Sequence, residues 1–285
     1  MNEVHAPHPI VVGIDGSKAA MCAALWAVDE AVSRDVPLRL LYAIEQSGPQ
    51  EAEPEAVARK RAIAETAVRH AVTAIEATGQ PVKTETEIAE GPPIRSLIGA
   101  SASAAMVCVG AVGLRHFRPG RVGSTAAALA ISAQCPVAIV RDHRSQPGQP
   151  ANAIVVEVDG SPDNGVLLGA AMEEALLRNA TVQAVICRRT ASHDVASDRE
   201  GDRRALADLD RRLARWKRRY PHLGVESVTV HGTLVEYLAY NPRSVGLVIV
   251  GAHNREHLKE LAGPVGSAIL QDSDCSLLVV NRRHL

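Results

Sequence analysis

The sequence predicts an α/β protein made of two tandem domains, each a doubly wound, five-stranded parallel sheet. Three observations carry this prediction: the length, an aliphatic composition, and an internal repeat. The 285 residues exceed the size of an ordinary single domain and fit two domains of roughly 140 residues. Hydrophobic residues make up 46% of the chain but aromatic residues only 2%, so the cores must be packed with aliphatic side chains. Such cores are typical of buried parallel strands covered by helices.

The internal repeat begins at the first predicted strand of each half. Residues 10–17 read IVVGIDGS and residues 154–161 read IVVEVDGS, which are identical at six of eight positions and 144 residues apart. The same offset relates Arg34 to Arg178 further along the chain. A polar stretch with prolines, over residues 141–150, has the composition of a linker. We therefore predict one domain at residues 1–145 and a second at 146–285.

Strands and helices are expected to alternate through the first half. Short aliphatic runs predict strands over 10–14, 38–44, 82–88, 106–110 and 137–141. Longer helical patterns begin near Ser17, Glu55, Pro93 and Gly123. Because strand–helix–strand crossovers are right-handed, this alternation predicts a Rossmann-like sheet with helices on both faces.

The second half repeats the same alternation. Its strands are expected near 153–158, 181–187, 225–230, 247–251 and 277–281. A helix is predicted over about 200–220, because apolar residues recur there at helical spacing. The side chains expected to face the sheet are those of Leu206, Leu209, Leu213, Trp216 and Tyr220.

The segment after the fourth strand has the pattern of a phosphate-binding loop. Its spacing is G-x2-G-x9-G-[ST], formed by Gly110, Gly113 and the run 123–125. Glycines let backbone amides approach a phosphate closely, and the N-terminus of the helix that follows favours an anion. In an open α/β sheet, ligands bind at this carboxyl edge of the strands. Arg115, Arg118 and Arg121 add positive charge to the loop, although solvated surface charge is the favoured explanation for each of them.

Together with VVGIDGS on the first strand, this loop resembles the ATP-binding universal stress proteins, and the resemblance spans both halves. It implies an adenine nucleotide alpha hydrolase-like fold, with the two domains packed as a pseudo-dimer. It also implies ATP, alone or with Mg²⁺, as the ligand, and a homodimer formed through the terminal strands; cAMP is an alternative ligand. The implied contacts are adenosine to Asp15, backbone to Gly13 and Ala43, and phosphates to Gly110, Gly113, Gly123, Ser124 and Thr125. For Asp15, capping of the following helix is an alternative role that can coexist with ligand binding.

The second half departs from this pattern. Glu157 stands where the first half has Gly13, and Asn254 replaces Gly113. The end of the loop can be aligned in two ways, with Gly263-Pro264 or with Gly266-Ser267 at the helix start; the first needs fewer length changes and is favoured. We expect Asp159, Gly160 and Gly251 to be structural remnants, and the second domain to bind nucleotide weakly or not at all.

The family resemblance implies a regulatory module in stress, starvation, low-oxygen or dormancy responses, of the tandem type frequent in actinobacteria. The alternatives are a slow ATP hydrolase or adenylyl-transferring enzyme, and an interaction scaffold. No catalytic residue is predicted, because the Walker spacing G-x4-G-K-[ST] is missing and His116 of the loop is best explained as solvated.

Composition narrows the setting in which the protein acts. Five scattered cysteines without a C-x-x-C pair predict a reducing, cytoplasmic environment. A formal net charge of -1 gives no general attraction to nucleic acid, and the charge-rich helix predicted over 200–220 reads as an ordinary amphipathic helix. No long apolar stretch predicts a membrane span, and the histidines show no metal-binding pattern.

Overall fold

The computed structural model describes residues 7–45, 53–113, 122–141, 153–159, 161, 163–188, 195–241 and 244–281. They form two compact units, one ending at Arg141 and the other beginning at Ala153. Each unit contains five parallel strands with helices between them. The predicted α/β class and its tandem organisation are therefore confirmed.

The first unit has the strand order of a doubly wound sheet, β3-β2-β1-β4-β5. Its strands are β1 (Ile10–Ile14), β2 (Leu38–Ile44), β3 (Thr84–Glu90), β4 (Met106–Gly110) and β5 (Val137–Val140). Strand β1 pairs in parallel with β2 on one side and β4 on the other. The strand order reverses between β1 and β4, and this is where the carboxyl edge of such a sheet opens into a crevice.

The helices of the first unit connect these strands. They are α1 (Lys18–Arg34), α2 (Pro54–Glu76), α3 (Pro93–Ala100) and α4 (Ser124–Ser132). Helix α1 packs on β1 and β4 with a face of small side chains, among them Ala20, Ala23 and Ala27, which are almost completely buried. Small residues on this face let the helix lie close to the sheet, which explains a core with so few aromatic residues.

The second unit repeats the first, with the order β8-β7-β6-β9-β10. Its strands are β6 (Ala153–Glu157), β7 (Val182–Arg188), β8 (Val225–His231), β9 (Val245–Gly251) and β10 (Ser276–Val280). Its helices are α5 (Asn164–Arg178), α6 (Val195–Arg219), α7 (Leu234–Tyr240), α8 (Arg255–Ala262) and α9 (Pro264–Asp272).

Two predicted features need correction. Strand β3 begins two residues later than expected, at Thr84, because Pro81 and Val82 belong to a turn in which Val82 N–H donates to the carbonyl of Gln80. Helix α6 begins before residue 200 and ends at Arg219, so Tyr220 lies just beyond it. On its apolar stripe, Leu209 and Leu213 are fully buried as predicted, whereas Leu206, Trp216 and Tyr220 are half-buried.

Candidate functional site

A cavity of about 340 Å³ lies at the carboxyl edge of the first unit's sheet. Its walls come from the ends of β1, β2 and β4 and from the beginnings of α3 and α4. The structure brings together in this one cavity every site residue predicted from the sequence. They are Gly13, Asp15, Ala43, Gly110, Gly113, Gly123, Ser124 and Thr125.

The carboxylate of Asp15 organises the turn between β1 and α1. Its Oδ1 accepts a hydrogen bond of 2.8 Å from the backbone N–H of Ser17. Ser17 is the N-cap of α1, and its hydroxyl accepts from the N–H of Ala20. The capping of α1 thus falls to Ser17 rather than to Asp15, and the second carboxylate oxygen of Asp15 is turned toward Gly113. Asp15 supports the helix start and lines the cavity at the same time.

Three glycines line the cavity, and an added Cβ would meet a different neighbour at each of them. A Cβ at Gly113 would lie 2.6 Å from Oδ2 of Asp15, so only glycine leaves this carboxylate in place. A Cβ at Gly110 would lie 2.5 Å from the backbone carbon of Ala19, which makes this glycine a requirement of helix packing as well. At Gly123 the nearest atom would be 3.5 Å away. The N–H of Gly123 donates to the carbonyl of Ala111, which holds the start of α4 next to the end of β4.

The first turn of α4 presents backbone donors to the cavity. Gly123 is its N-cap and contributes no side-chain hydrogen bond to the opening amides. Ser124 and Thr125, the first two helical residues, also line the cavity with their hydroxyl-bearing side chains. A helix N-terminus with uncapped amides and two hydroxyls attracts an anion.

Several lining residues were not predicted. Leu41, Tyr42 and Glu45 extend the wall formed by β2, and the start of α3 adds a further apolar surface. That surface consists of Pro92, Pro93, Ile94 and Leu97. Helix α3 itself was predicted to begin near Pro93, but its place in the cavity wall was not; Gly91, with a φ of 127°, turns the chain just before the two prolines. The loop residues Arg115, His116, Arg118 and Arg121 lie outside the described residues.

In the second unit, side chains fill the corresponding position. Glu157 replaces Gly13 and is buried, with its Oε1 2.7 Å from Nδ1 of His257 on α8. Cys187 stands where the first unit has Ala43, and its thiol also hydrogen-bonds to Glu157. Burial, reinforced by the charge of Glu157, raises the pKa of this thiol to about 12.

A second cluster lies beside the first. Asp159, the counterpart of Asp15, again accepts from a backbone N–H, that of Ser161, at 2.7 Å. Its other oxygen lies 3.1 Å from Nε2 of His253, and the remaining ring nitrogen of His253 lies 3.4 Å from Asp163. The imidazole also occupies the space over Gly251, where a Cβ would lie 2.4 Å from the ring. Among the described residues, the side chains of Glu157 and His253 thus occupy space that corresponds to part of the cavity.

The loop after β9 also differs from its counterpart. Residues 255–262 form helix α8, and Gly263 is the N-cap of α9, as Gly123 is of α4. This confirms the favoured alignment, in which Pro264 takes the place of Ser124. Proline removes one of the opening amides and the hydroxyl of that position. Gly160, expected to be a remnant, lies outside the described residues.

A family model described as "Universal stress protein family" matches residues 7–141 and again residues 151–281. The chain belongs to the universal stress protein family. The universal stress protein Rv2028c of Mycobacterium tuberculosis (strain ATCC 25618 / H37Rv) is 58% identical to it over 285 residues, covering all of both chains. A tandem universal stress protein architecture is therefore present over the full length of the sequence.

A solved structure shares this fold over nearly the whole chain. A universal stress protein from Archaeoglobus fulgidus shares the fold with a TM-score of 0.72 at 15% identity, covering 96% of each chain. A universal stress protein solved in complex with cAMP matches 47% of this chain and 97% of its own, at 26% identity and a TM-score of 0.35. Among the described residues, no helix of this universal stress protein is both long and apolar enough to span a membrane.

Proposed function

We propose that the first unit binds an adenine nucleotide, ATP alone or with Mg²⁺, and that the chain acts as a nucleotide-responsive regulatory module in stress, starvation or low-oxygen responses. The observation that carries this proposal is the convergence of Gly13, Asp15, Ala43 and the whole loop motif on one cavity. These residues lie on four separate segments of the chain. Family resemblance suggested the set, and the fact that all its members line one cavity supports the proposal.

The chemistry of the cavity suits the parts of a nucleotide. Leu41, Ile94 and Leu97 offer apolar surface to a flat base, and Asp15 offers a carboxylate acceptor to a hydroxyl group. The first turn of α4 supplies backbone amides and hydroxyls to an anionic tail. A volume of about 340 Å³ is at the lower end of the usual range for ligand sites.

Calorimetric titration of the full chain with ATP tests the proposal, with Asp15→Asn as the variant and Asp159→Asn as its matched control. Both aspartates hold the turn after a first strand, but only Asp15 lines the cavity. We expect one ATP per chain, an affinity at least tenfold lower in Asp15→Asn, and an unchanged affinity in Asp159→Asn. A wild-type chain without ATP binding, or an equal loss in both variants, contradicts the proposal.

The same samples show whether bound nucleotide reacts. Chromatography of ATP incubated with the protein detects ADP, the product of γ-phosphate hydrolysis, and pyrophosphate, which is released when the adenylyl group is transferred to an acceptor. A regulatory module is expected to return the ATP intact after many binding lifetimes. Mass spectrometry of small molecules released by heating the purified protein identifies the ligand directly and distinguishes ATP from cAMP.

A further inference from the structure

Glu157 is a buried carboxyl group at the carboxyl end of β6. Its side chain is only 6% exposed. A charged carboxylate in this position would therefore lose most of its hydration. Oε1 of Glu157 lies 2.7 Å from Nδ1 of His257, and the thiol of Cys187 hydrogen-bonds to the same carboxyl group. The protonation state of this cluster can be inferred from a residue that hydrogen-bonds to His257.

That neighbour is Asn254, the N-cap of α8. Its side chain accepts a hydrogen bond from the backbone N–H of His257, and because an N–H can only donate, the accepting atom is Oδ1. The amide nitrogen Nδ2 therefore faces Nδ1 of His257, at 2.7 Å. Nδ2 is a donor, so Nδ1 must be the unprotonated nitrogen of the ring.

An unprotonated Nδ1 cannot donate to Glu157. The contact between Nδ1 and Oε1 of Glu157 is then favourable only if the carboxyl group itself supplies a hydrogen, which shares the single lone pair of Nδ1 with the amide of Asn254. We propose that Glu157 is a proton-binding site: near neutral pH its carboxyl group is protonated and donates to His257. The second unit thereby binds a proton in the place where the first unit has a cavity.

The charges around Glu157 support the protonated form. Asp159 adds negative charge nearby, and Asp163 lies on the far side of His253. The negative charges of Glu236 on α7 and Glu260 on α8 raise the pKa of the Cys187 thiol, which neighbours Glu157. A protonated His257 would lower the pKa of Glu157, but the amide of Asn254 directed at Nδ1 disfavours that form of the ring. Burial is the largest influence and raises the pKa of Glu157 above its usual range.

A raised pKa gives the second unit a definite response to pH. The unfolded chain releases the proton of Glu157 near the ordinary glutamate pKa of about 4.3, whereas the folded chain retains it to higher pH. The stabilising contribution is complete below the unfolded pKa and is lost as the pH rises through the folded one. Above that pH, an anion is buried between β6 and α8, and α8 should loosen.

Carbon-13 NMR of the carboxyl carbons of the full-length protein tests the assignment. The resonance of Glu157 is the one missing in Glu157→Gln. If that variant does not fold, the resonance is the one shifted by Cys187→Ala, which restores the residue of the first unit. We expect this carboxyl group still to be protonated at pH 7, where exposed glutamates are ionised. A Glu157 carboxylate already ionised at pH 7, or a protonated His257 imidazole at that pH, overturns the proposal.

Hydrogen exchange of the α8 amides gives an independent measurement. In the wild type, protection factors of α8 should fall as the pH rises through the titration of Glu157. In Glu157→Gln, which carries a permanent neutral isostere, they should stay constant, and Glu173→Gln on exposed α5 surface should behave as the wild type. Lower protection in Glu157→Gln than in the wild type at pH 7 indicates an ion pair with His257 and also contradicts the proposal.

Discussion

Single residues decide whether the space beyond the first strand is open or filled. Gly13 and Ala43 leave room in the first unit, whereas Glu157 and Cys187 occupy the same positions in the second. Each replacement adds a polar side chain that has a hydrogen-bond partner. The buried polar groups of the second unit are therefore satisfied, as buried polar groups in folded proteins usually are. Filling the site therefore needs no change in the sheet, which keeps the same strand order in both units.

Gly113 gives the sharpest test at this scale. In Gly113→Ala the new Cβ would lie 2.6 Å from Oδ2 of Asp15, and the carboxylate would have to move out of the cavity. We expect the affinity for ATP to fall at least tenfold, measured by calorimetry, with little loss of overall stability. Gly99→Ala on α3 is the control, because no atom lies within 4 Å of its added Cβ. An equal affinity in Gly113→Ala would mean that the position of Asp15 does not matter for binding.

At the scale of elements, the start of helix α1 depends on short polar contacts. The hydroxyl of Ser17 caps α1, and the N–H of the same residue holds Asp15. Ser17→Ala removes the cap and should lower the free energy of unfolding by about 1 kcal/mol, measured by urea denaturation. Ser33→Ala is the control, since its hydroxyl only donates to the carbonyl of Glu30 near the end of the helix. The cap hypothesis fails if both variants lose the same stability.

Element boundaries show how far the sequence determines the fold. The predicted limits of β1, β2 and β4 agree with the structure, because these are apolar runs bounded by turn residues. Strand β3 was displaced because its sequence, TETEIAE, is mostly polar, so the apolar signal came from Val82 in the turn before it. Helix α8 was missed entirely. Its segment aligns with a glycine loop, and only its cap, Asn254, indicates a helix there.

Only part of the site could be predicted, because only some of its residues belong to a local sequence pattern. Residues that belong to a short motif, such as Gly110, Gly113 and Gly123, can be recognised by their spacing. Leu97 and Tyr42 cannot, since they reach the cavity only through the packing of α3 and the end of β2. Glu157, Cys187 and His257 lie on three segments that are distant in the sequence. No local sequence pattern predicts that they form a cluster.

For the whole molecule, the unequal units predict an unequal response to ligand. A ligand that binds only the native first unit stabilises it by RT ln(1 + [L]/Kd), about 2.7 kcal/mol at 100 times the Kd. Hydrogen exchange of the full chain with saturating ATP should therefore show slower exchange in β1, β4 and α4. Their counterparts β6, β9 and α9 should exchange as they do without ligand, because Glu157, His253 and Pro264 leave ATP neither space nor the full set of donors.

Asp15→Asn provides the control for this experiment. With a tenfold lower affinity, ATP at 100 times the wild-type Kd should stabilise the first unit of this variant by about 1.4 kcal/mol, so exchange in β1, β4 and α4 should slow less than in the wild type. Asp159→Asn should respond like the wild type. Equal protection of both sets of elements in the wild type would show that the second unit binds nucleotide despite its filled site. That result would require Glu157 and His253 to move aside for the ligand, and their hydrogen-bonded partners make such a movement costly.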